Sequence, residues 1–206
     1  MRKDKNAILT YKKILDLALE NKFRNIIDVG CGDTKLLTSI RKNIISENNN
    51  FIKYFGVGYK VLNFDNNINI IKKLDFNKEN WTKPIKSKFD LILVIDVIEH
   101  LENPFLFLKK IKSISSKNSK ILITVPNIQS YRSRIKFLLI GKPSAFFNND
   151  FNKSYKRDFN HHIWLPAIDL IKYYLRCNGY ELLNIHHIYG NNIFTSHTLL
   201  FEAKIK

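Results

Sequence analysis

The sequence predicts an α/β fold: an open, mostly parallel sheet of seven strands, with helices on both faces and an antiparallel pair of strands at the C-terminal end. Three observations lead to this prediction. Apolar runs of strand length alternate with segments of helical periodicity along most of the 206 residues. Residues 89–96 are almost continuously apolar, as in a central strand that is covered on both sides. Two strand-like segments follow each other at the end of the chain.

The first half of the chain predicts two helices and three strands. Apolar positions recur at helical spacing in two segments, 7–21 and 34–45. Apolar runs between polar breaks predict strands at 25–30, 51–59 and 70–76. The polar segment 47–50 is a predicted loop. Residues 63–69 leave little room for a helix, so we expect a short connection there.

The second half continues the alternation. Asn103 and Pro104 start a predicted helix that runs to about residue 115, since proline suits a first helical turn. The next strand, 120–125, stops at Pro126. Two further helices are predicted at 128–140 and 166–178, and two strands near 180–188 and 197–204. No linker or repeat divides the chain, so we expect a single domain over residues 1–206.

Composition argues against several classes of protein. Hydrophobic residues make up 45% of the chain and aromatic residues 13%, which is inconsistent with a disordered protein. No apolar run approaches the roughly 20 residues of a membrane helix, and the N-terminal residues lead into an amphipathic helix rather than a signal peptide. Cys31 and Cys177 form neither a metal-binding nor a disulfide pattern. We therefore expect a protein of the reducing cytoplasm.

The chain is strongly basic, with 34 Lys and Arg against 18 Asp and Glu and a net charge of +16. Such a charge suits three partners: nucleic acid, an anionic membrane surface or an acidic small substrate. A purely compositional origin fits equally well, because Lys, Asn and Ile are all abundant and the lysines are spread along the chain. The charge alone selects no partner.

The most informative motif is Asp28-Val29-Gly30-Cys31-Gly32, between the first predicted strand and the helix that follows it. Glycines adopt unusual backbone angles and let the main chain approach a ligand, and amides at a helix N-terminus face such a ligand. The acidic Asp28 would repel a pyrophosphate but suits a cationic ligand. S-adenosylmethionine (SAM), which carries an ammonium and a sulfonium group and no phosphate, fits this requirement.

With this motif the chain resembles the class I SAM-dependent methyltransferases, whose first motif reads D/E-x-G-x-G-x-G. Asp96-Val97-Ile98-Glu99-His100, at the exit of the central strand, is similar to a segment common in small-molecule members. Val125-Pro126-Asn127 and Asn160-His161-His162 are similar to the MetW-like enzymes of the methyltransferase domain 23 group. The resemblance covers roughly residues 20–204. It implies a Rossmann-like fold, SAM as cofactor, and a variable acceptor-pocket or lid insertion at 128–165.

The resemblance also implies a set of cofactor-binding residues. They are Asp28, Gly30, Cys31 and Gly32 in the first turn, Asp75 at the adenine amino group, Phe76 along the adenine ring, and Asp96 at the methionine end. Two departures stand out. Thr34 replaces the third glycine, and Gly58 lies where an acid would bind both ribose hydroxyls. Each hydrogen bond of that acid is worth roughly 1.5–3 kcal/mol, and Tyr59 or Asp65 is the candidate replacement.

Methyl transfer from a sulfonium requires mainly the alignment of acceptor and donor, and a base assists where the acceptor is a hydroxyl. His100 is a candidate base, with orientation of the following loop as an equal alternative. His162, or its neighbour His161, is a candidate on the acceptor side; the alternative is a polar loop pair. The other histidines are expected to be structural: His186, His187 and His197. No carboxylate or Cys falls at ligand spacing, so we expect no metal site.

Residues 131–147 join basic positions to an apolar stripe. Three interpretations are open for this segment. It is a lid over the acceptor, a helix that touches an anionic membrane surface, or a core-packed helix with a solvated basic face.

These observations favour a SAM-dependent methyltransferase that acts on a small or medium acceptor, with transfer to oxygen. A sugar, a quinone-like ring and a glycolipid precursor are all open, and the basic charge suits an anionic acceptor. A nucleic-acid methyltransferase is the alternative, although residues 96–100 lack the N/D-P-P-Y/F motif of enzymes that methylate base amines. A methyltransferase-like binding protein without turnover is the third interpretation, based on Thr34 and Gly58.

Overall fold

The computed structural model describes residues 2–20, 23–45, 52–62, 65–143 and 162–206. These residues form five α-helices: α1 (Arg2–Leu19), α2 (Lys35–Ile45), α3 (Pro104–Ser113), α4 (Tyr131–Ile140) and α5 (Ile168–Cys177). They also form seven strands: β1 (Asn25–Val29), β2 (Lys53–Val57), β3 (Asn69–Ile71), β4 (Phe89–Val94), β5 (Ser115–Pro126), β6 (Tyr180–Ile188) and β7 (Thr198–Ile205). A short 3-10 helix, Ile98–His100, follows β4.

The seven strands form one sheet in the order β3-β2-β1-β4-β5-β7-β6. The first five strands pair in parallel, whereas β7 pairs antiparallel with both β5 and β6. The predicted mostly parallel sheet with an antiparallel C-terminal pair is thereby confirmed. Strand order reverses between β1 and β4, and in open α/β sheets ligands bind at the carboxyl ends of the strands beside such a reversal.

Two apolar cores cover the sheet, one on each face. On β1, Ile26 packs with residues of α1 and α2, whereas Ile27 and Val29 pack with residues of α3 and α5. The residues of β4 alternate between the two cores in the same way. This double coverage is the reason for the apolar run at 89–96, and it confirms the prediction of helices on both faces.

The third strand is shorter than predicted. β3 ends at Ile71, and residues 72–88 form turns and irregular structure instead of extending the strand to residue 76. Leu74 and Phe76, which suggested the longer strand, pack against the α3 and α5 core, and the ring centroid of Phe76 lies 5.0 Å from that of Trp81. Their apolar character therefore reflects core packing and not strand pairing.

Several element boundaries also differ from the prediction. α1 begins at Arg2 instead of residue 7, and β5 begins at Ser115, opposite Phe89 of β4. α4 begins at Tyr131 instead of residue 128, because the Ser130 hydroxyl accepts the Ser133 N–H at 3.3 Å and caps the helix. The loop predicted at 47–50 lies outside the described residues.

None of the described helices has the length and apolar character needed to cross a bilayer.

Candidate functional site

A cavity of about 600 Å³ opens at the carboxyl ends of β1, β2 and β4. It lies where the strand order reverses, the expected position of a ligand in this fold. The predicted site residues in its wall are Gly30, Gly32, Tyr59, Asp75, Phe76, Asp96 and His100. Wall residues that the sequence reasoning missed include Lys60, Leu74, Asn77, Val97 and Leu101.

Close packing explains the first glycine of the turn. Gly30 has a left-handed φ of +97°, and a Cβ at this position would overlap the Cγ2 methyl group of Val97. Its N–H donates to the carbonyl of Val57 at 2.8 Å and ties the turn to the end of β2. The Gly30 main chain can therefore form part of the cavity wall directly, with no side chain in front of it.

Asp28 and Cys31 lie behind the turn and not in the cavity wall. Asp28 shares a face of β1 with Ile26, and burial, with a smaller contribution from Asp33, raises the pKa of its carboxyl to about 7. The Cys31 sulfur fills the space beside Gly56, where a Cβ would lie 2.8 Å from it. Burial, and next the charge of Asp28, raises the pKa of the Cys31 thiol. Cys31 is thus a packing residue beneath the turn.

Thr34, in place of the third glycine, adopts a left-handed conformation with a φ of +55°. This conformation is uncommon for a β-branched residue and costs on the order of 1–3 kcal/mol. Thr34 is fully buried, and its N–H donates to the carbonyl of Cys31 at 2.8 Å. The turn therefore keeps a glycine-like backbone, with local strain at Thr34.

Asp96, just after β4, is held by Thr124 of the neighbouring strand β5. The Asp96 N–H donates to Thr124 Oγ1 at 2.8 Å, and the Thr124 hydroxyl donates to Asp96 Oδ1, also at 2.8 Å. These bonds support a left-handed φ of +52° at Asp96, and Thr124 itself is completely buried. Sequence reasoning found Asp96 and missed Thr124. The available signal was a hydroxyl within the otherwise apolar segment 121–126 at the end of β5.

The end of β2 carries no acid, as the sequence indicated. This part of the wall consists of Gly58, Tyr59 and Lys60. Asp65 does not line the cavity: its Oδ2 accepts from Arg41 Nη1 at 3.0 Å, and its Oδ1 accepts the Asn67 N–H at 2.9 Å. Tyr59, about half exposed, stays the candidate for a ribose contact.

The segment after β3 contributes Asp75 and Phe76 to the wall. Asp75 Oδ1 accepts the Asn77 N–H at 3.1 Å, which shapes the turn. Asn77 Oδ1 in turn accepts the N–H of Glu102 at 2.7 Å. That bond joins this segment to the residues that follow the 3-10 helix, so the two parts of the wall support each other.

Three side chains that could bind a metal ion lie together near Asp96: Glu99, His100 and His162. One carboxylate oxygen of Glu99 and one imidazole nitrogen of each histidine lie within 4.8 Å of one another. His162 Nε2 is 3.9 Å from Glu99 Oε1, and the two imidazole ring centroids are 4.8 Å apart in an edge-to-face arrangement. Sequence reasoning named both histidines and missed Glu99. The alternative His161 lies outside the described residues.

Glu99 is a deeply buried carboxyl, with 1% of its surface exposed. Burial, and next the charge of Asp96, raises its pKa to about 8. Its main-chain carbonyl accepts the Ile163 N–H at 2.9 Å, and the first residue of the 3-10 helix accepts from Trp164 Nε1 at 3.0 Å. These two bonds hold the segment that contains His162 against the 3-10 helix.

Tyr11 of α1 is a further residue near the site. Burial, followed by the charges of Asp28, Asp33 and Asp96, raises the pKa of its hydroxyl to about 12. These carboxyls belong to β1, to the turn after it and to the end of β4, so the Tyr11 hydroxyl lies within electrostatic range of all three. Helical periodicity placed Tyr11 on a helix and gave no indication of these neighbours.

The helix α4 is unusually exposed. Ser133 is its buried residue, whereas Leu138 and Leu139 are 82% and 77% exposed. Phe137 and Ile140 are also more than half exposed. The core-packed interpretation of 131–147 is therefore wrong for α4. Residues 144–147 lie outside the described part of the chain.

The C-terminal histidines have partners away from the cavity. His186 Nε2 is 3.0 Å from Glu202 Oε2, and His187 Nδ1 is 3.2 Å from Ser196 Oγ. Burial lowers the pKa of His197. None of these three histidines is in the cavity wall.

A family model described as a methyltransferase domain (group 23) matches residues 3–185. The chain belongs to this family. It is a class I SAM-dependent methyltransferase, as the motifs of its first turn and of the β4 exit predicted. No curated protein matches the chain in sequence.

Solved methyltransferase structures share the fold at low sequence identity. Magnesium protoporphyrin IX methyltransferase (ChlM) from Synechocystis PCC 6803 is 12% identical, with a TM-score of 0.66 over 98% of this chain and 84% of that chain. The methyltransferase domain of bacterial CtHen1-C is 18% identical, with a TM-score of 0.65 over 97% and 98%. The N-methyltransferase NodS from Bradyrhizobium japonicum is 11% identical, with a TM-score of 0.61 over 100% and 99%.

The cavity of this methyltransferase fits SAM in size and chemistry. Its volume of about 600 Å³ lies within the usual range of 300–1,000 Å³ for small-molecule sites. The wall combines bare main chain at Gly30, an aromatic ring at Phe76 and a carboxylate at Asp96. The bare main chain at Gly30 lets a ligand approach closely, the ring of Phe76 suits contact with a purine ring, and the carboxylate of Asp96 suits an ammonium group.

Proposed function

We propose that this methyltransferase transfers the methyl group of SAM to an oxygen atom of a small or medium acceptor. A sugar, a quinone-like ring and a glycolipid precursor are the acceptor classes. The observation that carries the proposal is the position of His100 in the cavity wall, with Glu99 and His162 beside it. An acceptor hydroxyl loses its proton during transfer, and this cluster can assist that loss.

In this proposal Asp96 binds the ammonium group of SAM, Asp75 and Phe76 bind the adenine, and Tyr59 contacts the ribose. Asp28 lies behind the turn, where a bound cationic cofactor would favour the ionised form of its buried carboxyl. SAM supplies an already activated methyl group when bound. The contribution of the chain is to align the acceptor with that group, which can supply much of the rate acceleration.

The acceptor atom can be tested with matched acceptors. We expect methyl transfer from isotope-labelled SAM to hydroxyl compounds, and none to the corresponding amines. His100→Ala should lower the rate about 10²- to 10⁴-fold, the usual contribution of a proton-transfer group. His197→Ala, outside the cavity wall, is the control and should retain activity. N-methylated products, or an unchanged rate in His100→Ala, would contradict the proposal.

We also propose that α4 brings the enzyme to an anionic membrane surface, where a glycolipid-type acceptor is available. Support comes from the exposed apolar side chains of residues 137–140 and from Arg132, Arg134 and Lys136 on the same short helix. An interfacial helix combines these two properties.

Vesicle sedimentation tests the membrane proposal. The wild-type protein should sediment with phosphatidylglycerol vesicles and much less with phosphatidylcholine vesicles. The double variant Leu138→Glu/Leu139→Glu should lose this binding, while Ile8→Glu/Leu9→Glu, the same number of charges added at two exposed residues of α1, should keep it. Equal sedimentation of all three proteins would rule out the α4 surface.

The net charge of +16 supports a second candidate function, methylation of nucleic acid. Contact with phosphates by lysines and arginines makes binding steeply dependent on salt concentration. Methyl transfer to RNA or DNA, with a binding constant that falls steeply with salt, would favour this function over the small-molecule acceptor.

A further inference from the structure

The buried carboxylate of Glu99 is the feature that the proposed function leaves unexplained. Its Oε2 atom accepts no hydrogen bond from any residue that the structure describes. A buried ionised carboxylate is very costly unless it is paired, hydrogen-bonded or bound to a metal ion. Asp96 lies near enough to act electrostatically on Glu99, and its negative charge adds to that cost.

Among the residues that the structure describes, the side chains of ligand type beside Glu99 are the imidazoles of His100 and His162. His100 follows Glu99 directly in the chain, whereas His162 comes from a distant segment, and the three ligand-type atoms lie within 4.8 Å of one another. Ligand atoms at 2.0–2.2 Å from a tetrahedral Zn²⁺ ion are separated by about 3.4 Å. Shifts of about 1 Å, within the range of small side-chain rotations, would bring the three atoms to these distances.

We propose that Glu99, His100 and His162 bind a divalent transition-metal ion of the Zn²⁺ type at the edge of the SAM cavity. Two imidazoles and one carboxylate form a ligand set of known catalytic zinc sites, and nitrogen ligands select against Mg²⁺ and Ca²⁺. The expectation of no metal site followed from spacing along the sequence. The fold instead brings His162 next to a pair of residues that precede it by more than 60 positions.

Three protein ligands leave at least one position of such an ion open. Because His100 lines the cavity, the open position faces the space where an acceptor would meet the methyl group. The ion would lower the pKa of an acceptor hydroxyl there, so that its proton passes to solvent water. The oxygen then forms its bond to the methyl carbon as the carbon–sulfur bond breaks, and that electron pair stays on sulfur. In this step His100 and His162 assist the loss of the acceptor proton through the ion that they hold, which deepens the role that the proposed function gives them.

Metal content measured without any acceptor tests the site directly. The full chain is treated with a chelator, dialysed against Zn²⁺, and analysed for bound metal per chain. We expect one tightly bound ion, and the substitution of Co²⁺ should give the visible absorption of a cobalt ion with nitrogen ligands. Glu99→Gln preserves the shape of the side chain and should weaken metal binding by at least about tenfold.

His162→Asn is the second variant, because it changes a partly exposed residue and leaves the buried Glu99 in place. It should also lose the ion. His187→Gln, a histidine outside the cavity wall, is the matched control and should keep it. Metal content that is absent from the wild type, or equal in all four proteins, would overturn the proposal.

The role of the ion in catalysis depends on the proposed function, whereas its binding does not. SAM titration of the same samples separates the two. A protein that binds Zn²⁺ through Glu99 but does not bind SAM keeps the metal site and refutes the proposed function. A protein that binds SAM and transfers methyl groups at the same rate after chelation refutes the role of the ion in catalysis, whereas the metal site itself is refuted by metal content alone.

Discussion

The hydrogen bonds between Thr124 and Asp96 give a sharp prediction for the variant Thr124→Val. Valine has nearly the shape of threonine, so it removes both bonds at this fully buried position without leaving a cavity. The bond to the carboxylate is worth about 1.5–3 kcal/mol and the bond from the neutral N–H about 0.5–1.5 kcal/mol. Asp96 is exposed on its cavity side, so hydrogen bonds to water would replace part of the lost stabilisation. The free energy of unfolding should therefore fall by about 1–3 kcal/mol.

The affinity for SAM should fall as well, because the left-handed backbone of Asp96 loses its support. That conformation costs on the order of 1–3 kcal/mol. We therefore expect the Kd for SAM to rise roughly tenfold to hundredfold in isothermal titration. Thr124→Ser keeps the hydroxyl and should bind SAM within about threefold of the wild type, a change under 1 kcal/mol. A folded Thr124→Val protein with wild-type affinity would refute the positioning role of Thr124.

Two further predictions concern the first turn. Gly30→Ala, whose methyl group would overlap Val97, should raise the Kd for SAM at least about hundredfold. Gly32→Ala shares the cost of a left-handed backbone, with a φ of +50°, but its methyl group meets no atom closer than 3.9 Å, so its effect should be smaller. Equal losses in the two variants would contradict the close-packing argument. For Asp28, burial raises the pKa to about 7, so the native state holds the proton more tightly than the unfolded state, and wild-type stability falls as pH rises from about 4 to 7. Asp28→Asn removes this dependence, and its free energy of unfolding relative to the wild type should rise by about 3 kcal/mol between pH 5 and pH 8 in urea titrations without SAM. A difference that does not change with pH would contradict the assignment.

Much of the fold could be predicted because the sequence is consistent at several levels. The apolar run at 89–96 is a central strand with cores on both faces, and the alternation of elements predicts the parallel part of the sheet. The errors arise where apolar residues serve packing in irregular segments. Leu74 and Phe76 look like strand residues, yet they pack against the core from the turns after β3.

The site was predictable where its residues are adjacent in sequence. Gly30, Gly32 and Asp96 occur in short motifs and do line the cavity. Thr124 and Tyr11 were missed because their roles depend on a neighbouring strand and on α1, which only the folded chain brings to the site.

The same limit applies to the cluster of Glu99, His100 and His162. Glu99 resembles an ordinary residue of the β4 exit until the fold brings His162 within 3.9 Å of it. The missing ribose acid shows a related problem. Asp65 is near in sequence, but its carboxylate is already engaged by Arg41.

Titration of the wild-type protein with SAM and S-adenosylhomocysteine tests the central claim most directly, because it needs no knowledge of the acceptor. We expect one SAM molecule bound per chain, with a binding heat that is strongly reduced in Asp96→Asn. An absence of detectable binding at millimolar SAM, in a protein that is folded by circular dichroism, would contradict the account.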